Sequence, residues 1–133
     1  MRFLCALILA VAMPAFAQDQ RPMTAAEFEA YTTGKTLSYA TEGNLPYGAE
    51  EYLPGRRVRW AFNEQECKEG EWFAERDLIC FVYEDDPTPQ CWSFFRTPGG
   101  IRAQFENQEG SAPLYSVAED PEPLFCPGPQ IGV

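Results

Sequence analysis

From Thr36 onwards the chain breaks into short segments rich in β-branched and aromatic residues, arriving at intervals of roughly 8–12 residues. Their expected spans are 36–40, 49–53, 57–62, 71–74, 78–83, 91–96, 101–106 and 114–117. The connections carry turn residues: Leu45-Pro46-Tyr47-Gly48, Pro54-Gly55, Pro98-Gly99-Gly100 and Gly110-Ser111-Ala112-Pro113. No stretch after Gly34 keeps a helical period. The expectation is a mainly β fold, an antiparallel up-and-down meander curled into a small barrel or half-barrel of lipocalin-like form.

One short helix precedes the strands. Thr24-Ala25-Ala26-Glu27 is a capping box, in which threonine and glutamate each satisfy a backbone donor at a helix start. Gly34 suits the end, because glycine accepts the left-handed conformation just past a helix. Ala25, Phe28 and Tyr31 or Thr32 give the helix one apolar side, expected to pack over an end or face of the sheet.

Export is expected from the first 17 residues. Arg2 precedes an apolar run from Phe3 to Met13, Pro14 ends any helix, and Ala15-Phe16-Ala17 has the small-x-small pattern of a cleavage site. The run is shorter than the ~20 residues that span a bilayer. Residues 1–17 therefore read as a signal peptide, and 18–133 as a single disulfide-bonded β domain, periplasmic or secreted, beginning at Gln18. Without Arg2 the domain has nine basic against twenty acidic residues, a net charge of −11. That balance opposes binding to nucleic acid or to a membrane surface and would favour a basic partner. Arg57 and Arg59 share one side of a strand, expected to be its solvated side.

Loss of Cys5 with the leader leaves Cys67, Cys80, Cys91 and Cys126, an even set in an exported chain. Four cysteines allow three pairings, and strand register chooses among them. A strand at 78–83, turn residues at 84–89 and a returning strand from Gln90 read as a hairpin, and if it is centred between Asp85 and Asp86, Cys80 lies opposite Cys91, at a disulfide's reach. Cys67 and Cys126 then pair. With no histidine and no C-x-x-C, a metal site is not expected.

The same register arithmetic sorts the aromatic residues. Pairing Arg96 with Ile101 sets Trp92 opposite Phe105 and Phe94 opposite Ala103. Ile79, Phe81 and Tyr83 join that face, and so does Trp72 if the Arg76-Asp77 turn has two residues. Val58, Trp60 and Phe62 alternate in the same manner. Trp60, Trp72, Phe81, Tyr83, Trp92, Phe94 and Phe105 thus form one face, expected to be hydrophobic core before ligand lining, since a small barrel has room only for its own side chains.

The segments EYLPGRRVRWAF (51–62), CKEGEW (67–72), ICFVY (79–83) and QCWSFF (90–95) resemble a family of small, uncharacterised proteobacterial secreted proteins. The resemblance implies a periplasmic location and four paired cysteines, and it carries over no catalytic residue, cofactor or ligand. Gly70-Glu71-Trp72 is also similar to the G-x-W of lipocalins, but stands mid-chain here and near the first strand there.

Catalytic motifs are not found. The chain lacks histidine, the usual general base near neutral pH, and each mature cysteine has a partner. Lys35 and Lys68 sit in no Ser-x-x-Lys, and no glycine loop for phosphate is present. Glu84-Asp85-Asp86 and Glu119-Asp120-Glu122 lack the ligand spacing of a calcium loop. The expected function is that of a non-catalytic exported binding or structural module. Three alternatives stand beside it: a binder or inhibitor of a basic protein such as lysozyme, a carrier of a small apolar ligand, and a carboxylate-based cell-wall hydrolase.

Overall fold

A computed structural model describes residues 21–62 and 66–126; the expected signal peptide and its cleavage point lie outside the described residues. The elements are α1 (Ala25–Thr32), β1 (Thr36–Thr41), β2 (Pro46–Leu53), β3 (Arg57–Ala61), β4 (Lys68–Glu75), β5 (Leu78–Tyr83), β6 (Asp86–Thr97), β7 (Gly100–Phe105) and β8 (Leu114–Asp120). The eight strands pair antiparallel in chain order, and β8 returns to β1, from Thr36 opposite Asp120 to Thr41 opposite Leu114, closing the barrel. Closure removes the unpaired edges that an open meander would expose. Among the described residues no helix is long and apolar enough to cross a membrane.

Alternation builds the interior. Leu37 and Tyr39 on β1, Glu50 and Tyr52 on β2, Val58 on β3, Trp72 on β4, Ile79 and Phe81 on β5, Phe94 on β6 and Ile101 and Ala103 on β7 are all buried. The expected registers hold: Trp92 lies opposite Phe105, Phe94 opposite Ala103, and Arg96 opposite Ile101. Glu75 pairs with Leu78, so the Arg76-Asp77 turn has two residues and Trp72 faces inward opposite Phe81.

Two expected turns are partly strand. Pro46, Tyr47 and Gly48, expected in a connection, begin β2, with Gly48 opposite Tyr39 and Pro46 opposite Ala40; a proline is tolerated at the first residue of a strand. Residues 84–89 are not all turn: Tyr83 already pairs with Asp86, and only Glu84-Asp85 connect the strands. A register irregularity between Phe81 and Tyr83 takes up the surplus residues of β6, so that Phe81 meets Gln90 and Cys80 still meets Cys91. Bulged pairing tolerates Pro87 and Pro89, which cannot donate to a regular ladder. Both expected disulfides are present, Cys80–Cys91 between neighbouring strands and Cys67–Cys126 tying the C-terminal segment to the start of β4. They indicate an oxidising environment.

Helix α1 plugs one end of the barrel. Thr24 Oγ1 accepts from the Glu27 amide at 3.2 Å, and Glu27 Oε2 accepts from the Thr24 amide at 3.1 Å, the expected capping box. Phe28, fully buried, presses its ring among those of Tyr52, Trp72, Phe81 and Phe94, with centroids 4.4–6.4 Å away. Just before the helix, the Met23 amide donates to the Phe94 carbonyl at 2.7 Å and fastens the plug to β6. Strands run up and down, so the β1–β2, β3–β4, β5–β6 and β7–β8 connections gather at the other end. That end is open.

Candidate ligand site at the open end of the barrel

Above the Phe28 plug the interior is not filled. A cavity of about 160 Å³ opens towards the unplugged end, bounded by Tyr39 and Leu114 on one side and by Trp60, Phe81, Tyr83, Trp92 and Phe94 on others. Glu50 and Tyr52 also line it, with Tyr47, Phe62, Lys68 and Asp85 among the others. Five of the seven aromatic residues singled out from the sequence therefore line it. Trp72 does not, because its ring packs 5.3 Å from Phe28 in the plugged half. Phe105 does not either; it covers Trp92 at 4.9 Å.

Two glycines shape this cavity by lacking a side chain. A β-carbon on Gly48 would stand 2.4 Å from the Trp60 ring, and one on Gly70 would stand 2.7 Å from the Tyr83 ring. Both are below any tolerable carbon–carbon contact, so each glycine is the seat on which its aromatic neighbour lies. Trp60 in turn contacts Tyr47 and Phe62, ring centroids 5.8 and 5.2 Å away, making an aromatic rim at the mouth. Lys68 Nζ meets Asp85 at 2.6 Å and bridges the start of β4 to the β5–β6 turn across that mouth.

The polar centre of the site is Glu50, and it was not among the residues singled out from the sequence. Glu50 is only 2 % exposed, and its Oε1 accepts a hydrogen bond from the Tyr83 hydroxyl at 2.8 Å. Its Oε2 is buried and has no hydrogen-bond partner among the described residues. Burial pushes the Glu50 carboxyl well above the ordinary carboxylate range, and the Tyr83 bond offsets this only partly. The Tyr83 hydroxyl is itself raised, by burial first and by the neighbouring Glu50 second. Tyr39 and Tyr52 hydroxyls bond to each other at 2.8 Å on the same wall, and burial raises both. A signal for Glu50 did exist. Period-2 alternation puts Gly48, Glu50 and Tyr52 on one face of β2, the face that carries Tyr52 into the core.

The next residue has the opposite fate. Glu51 points outwards, where Oε2 accepts from the Leu124 amide at 3.0 Å and lies 3.8 Å from Arg59 Nη1. It is covered by the segment that the Cys67–Cys126 bridge holds down. Arg59 also binds Glu69 at 2.6 Å, which makes it a surface ion-pair partner. Near the other disulfide, Glu75 comes close to Cys80 and Cys91, but their sulfurs are bonded to each other and have no thiolate to offer a metal.

No family model, no curated protein and no solved structure matches this chain.

Proposed function

We propose that the protein is an exported, non-catalytic module that holds one small organic molecule in the open half of its barrel. The observation that carries this reading is Glu50 Oε2, a buried polar atom in the wall of a cavity, left unpartnered among the described residues. Buried polar groups are almost always hydrogen-bonded, because leaving one unmade costs on the order of 1–3 kcal/mol. A bound molecule that donates to this oxygen removes that cost. The remaining lining is aromatic, the composition expected of a small-molecule site: apolar walls and a few fixed polar groups. The volume of about 160 Å³ resembles that of cavities of ~150 Å³ that accept a single benzene ring.

The reading changes the expected carrier of an apolar ligand in one respect. The occupant must be amphipathic, with its polar end at Glu50. The strongly acidic composition also suits a basic protein partner, but no surface feature beyond that charge favours it.

Native mass spectrometry of protein gently recovered from an exporting cell tests the proposal. The expected result is a chain starting at Gln18, lighter by four hydrogens for two disulfides, with a discrete extra mass that leaves on denaturation. A bare mass, together with no change in melting temperature across a panel of single-ring compounds, contradicts it.

A further inference from the structure

Three features of the open end converge on one class of molecule, and the inference rests on the ligand-binding reading above. We infer that the occupant is a small organic ammonium ion, a single ring or short apolar body carrying a primary or secondary amine. Its N–H groups donate to Oε2 of Glu50 and its body lies against Trp60 and Trp92.

The first feature is the acceptor itself. Among the described residues Oε2 of Glu50 has no partner, and the other carboxyl oxygen is already held by Tyr83. Proton donation from an ammonium gives a charge-assisted bond, stronger than one from a neutral hydroxyl. Bringing a cation to a buried carboxyl also neutralises the charge that burial disfavours.

The second feature is the wall. Tyr47, Trp60 and Phe62 form a contiguous group of rings at the mouth, with Tyr83 and Trp92 further round. Ring faces carry the negative part of the aromatic quadrupole and attract cations, tryptophan most strongly. The one cation in the wall, Lys68, is already drawn to Asp85 at 2.6 Å and stands 5.9 Å from the Phe62 ring.

The third feature is the approach. Asp85 and Asp86 stand at the mouth of a chain whose net charge is −10, so the field favours entry of cations and opposes anions. Among the described residues, the titratable groups that line the cavity with Glu50 are Tyr39 from β1, Tyr47 and Tyr52 from β2, Lys68 from β4, Tyr83 from β5, Asp85 from the β5–β6 turn and Asp86 from β6. None except Lys68 is cationic, and it is paired.

Burial favours the protonated form of Glu50, so pairing with an ammonium ion shifts the carboxyl towards its ionised form, and any proton given up leaves to the buffer. The other ligand chemistries do not share this consequence. A neutral alcohol binds without release, and an anion is repelled.

Isothermal titration calorimetry at pH 7 on the mature, disulfide-bonded protein separates these outcomes, using benzylamine, benzyl alcohol and benzoate as probes. Each is titrated in two buffers of different protonation enthalpy. The expected result is preferential binding of benzylamine over benzyl alcohol and benzoate, with any proton exchange in the direction of release. In Glu50→Gln the affinity for benzylamine falls at least tenfold. The three probes are compared on the unaltered protein, so the inference stands or falls even if the variant folds poorly. Tighter binding of benzyl alcohol or benzoate overturns the ammonium assignment and leaves the cavity as a ligand site. No binding by any of the three overturns both.

Discussion

The Tyr83 hydroxyl donates to Glu50 Oε1 at 2.8 Å across the barrel interior, from β5 to β2, with β3 and β4 lying between them in the sheet. The bond spans the inside of the barrel rather than a strand pair, so both residues are set by the packing around them. Tyr83 rests on Gly70, and Glu50 stands two residues from Gly48, on which Trp60 rests. One polar contact and two glycine seats thus define the open half of the barrel. Each can be tested.

Glu50 gives the protein a pH-dependent stability of known sign. Burial raises its carboxyl, so the folded protein keeps a proton that an unfolded chain loses near ~4.3. Above that pH the folded state binds more protons than the unfolded state, and stability falls as pH rises until the folded carboxyl ionises. The slope reaches about 1.4 kcal/mol per pH unit for one full proton. Glu27, lowered to about 2 by its bonds to Arg21 and the Thr24 amide, acts in the opposite sense, losing its contribution as pH falls below the usual range. Asp85 and Glu119 are lowered too, chiefly by their bonds to Lys68 and Tyr31. Glu50→Gln removes only the first effect. In urea titrations the variant should gain on the natural protein steadily above pH 5 and run parallel to it below pH 4. Parallel curves throughout would show that Glu50 titrates normally.

Gly70→Ala should cost stability and loosen the site together. The new methyl would meet the Tyr83 ring at 2.7 Å and the Val82 carbonyl at 2.7 Å, and the backbone carbonyl cannot turn aside. Overpacking of this kind costs about 1–3 kcal/mol. Gly48→Ala should do the same through Trp60. Denaturation midpoints and the tryptophan emission of the Gly48 variant are the readouts. Wild-type stability in both variants would contradict the close contacts.

Phe28→Ala removes the plug. Its ring is fully buried against Tyr52, Trp72, Phe81 and Phe94, and truncating such a phenylalanine costs about 3–5 kcal/mol. Thr24→Ala touches the same helix only at its cap and should cost about 1 kcal/mol. Thermal unfolding of the pair should therefore rank Phe28→Ala far below Thr24→Ala; equal losses would mean that the helix does not pack into the barrel.

The two disulfides differ in what they restrain. Cys67–Cys126 spans 59 residues and Cys80–Cys91 spans 11. By loop-closure entropy the first contributes about 4 kcal/mol and the second about 3 kcal/mol. Replacing each pair by serine should place the Cys67/Cys126 variant lower in denaturant midpoint, and should also uncover Glu51 from the Leu124 segment.

The barrel was largely readable from alternation, because an inward residue and its neighbour differ in polarity along most strands. Cys80 and Cys91 fixed one register, and the Pro98-Gly99-Gly100 turn fixed the next. The Glu84–Pro89 turn was misplaced because two prolines look like loop residues when strand pairing is regular, and a bulge makes it irregular. The centre of the site escaped for a related reason. Glu50 and Glu51 are adjacent acids in a strongly acidic chain, and local composition treats both as surface. Only the closed topology shows that one faces Tyr83 and the other faces Leu124. Likewise, the aromatic face could not be divided into plug and pocket until Phe28 was placed among Trp72, Phe81 and Phe94.

The three tryptophans offer the most direct test that the open half of the barrel is the ligand site. Trp60 and Trp92 line the cavity, and Trp72 is packed beside the plug. Their indole N–H signals can be followed by proton–nitrogen NMR while benzylamine is added at pH 7. The predicted result is saturable movement of the Trp60 and Trp92 signals with Trp72 stationary, and loss of the effect in Glu50→Gln. Three stationary signals, or movement of Trp72 alone, would contradict it.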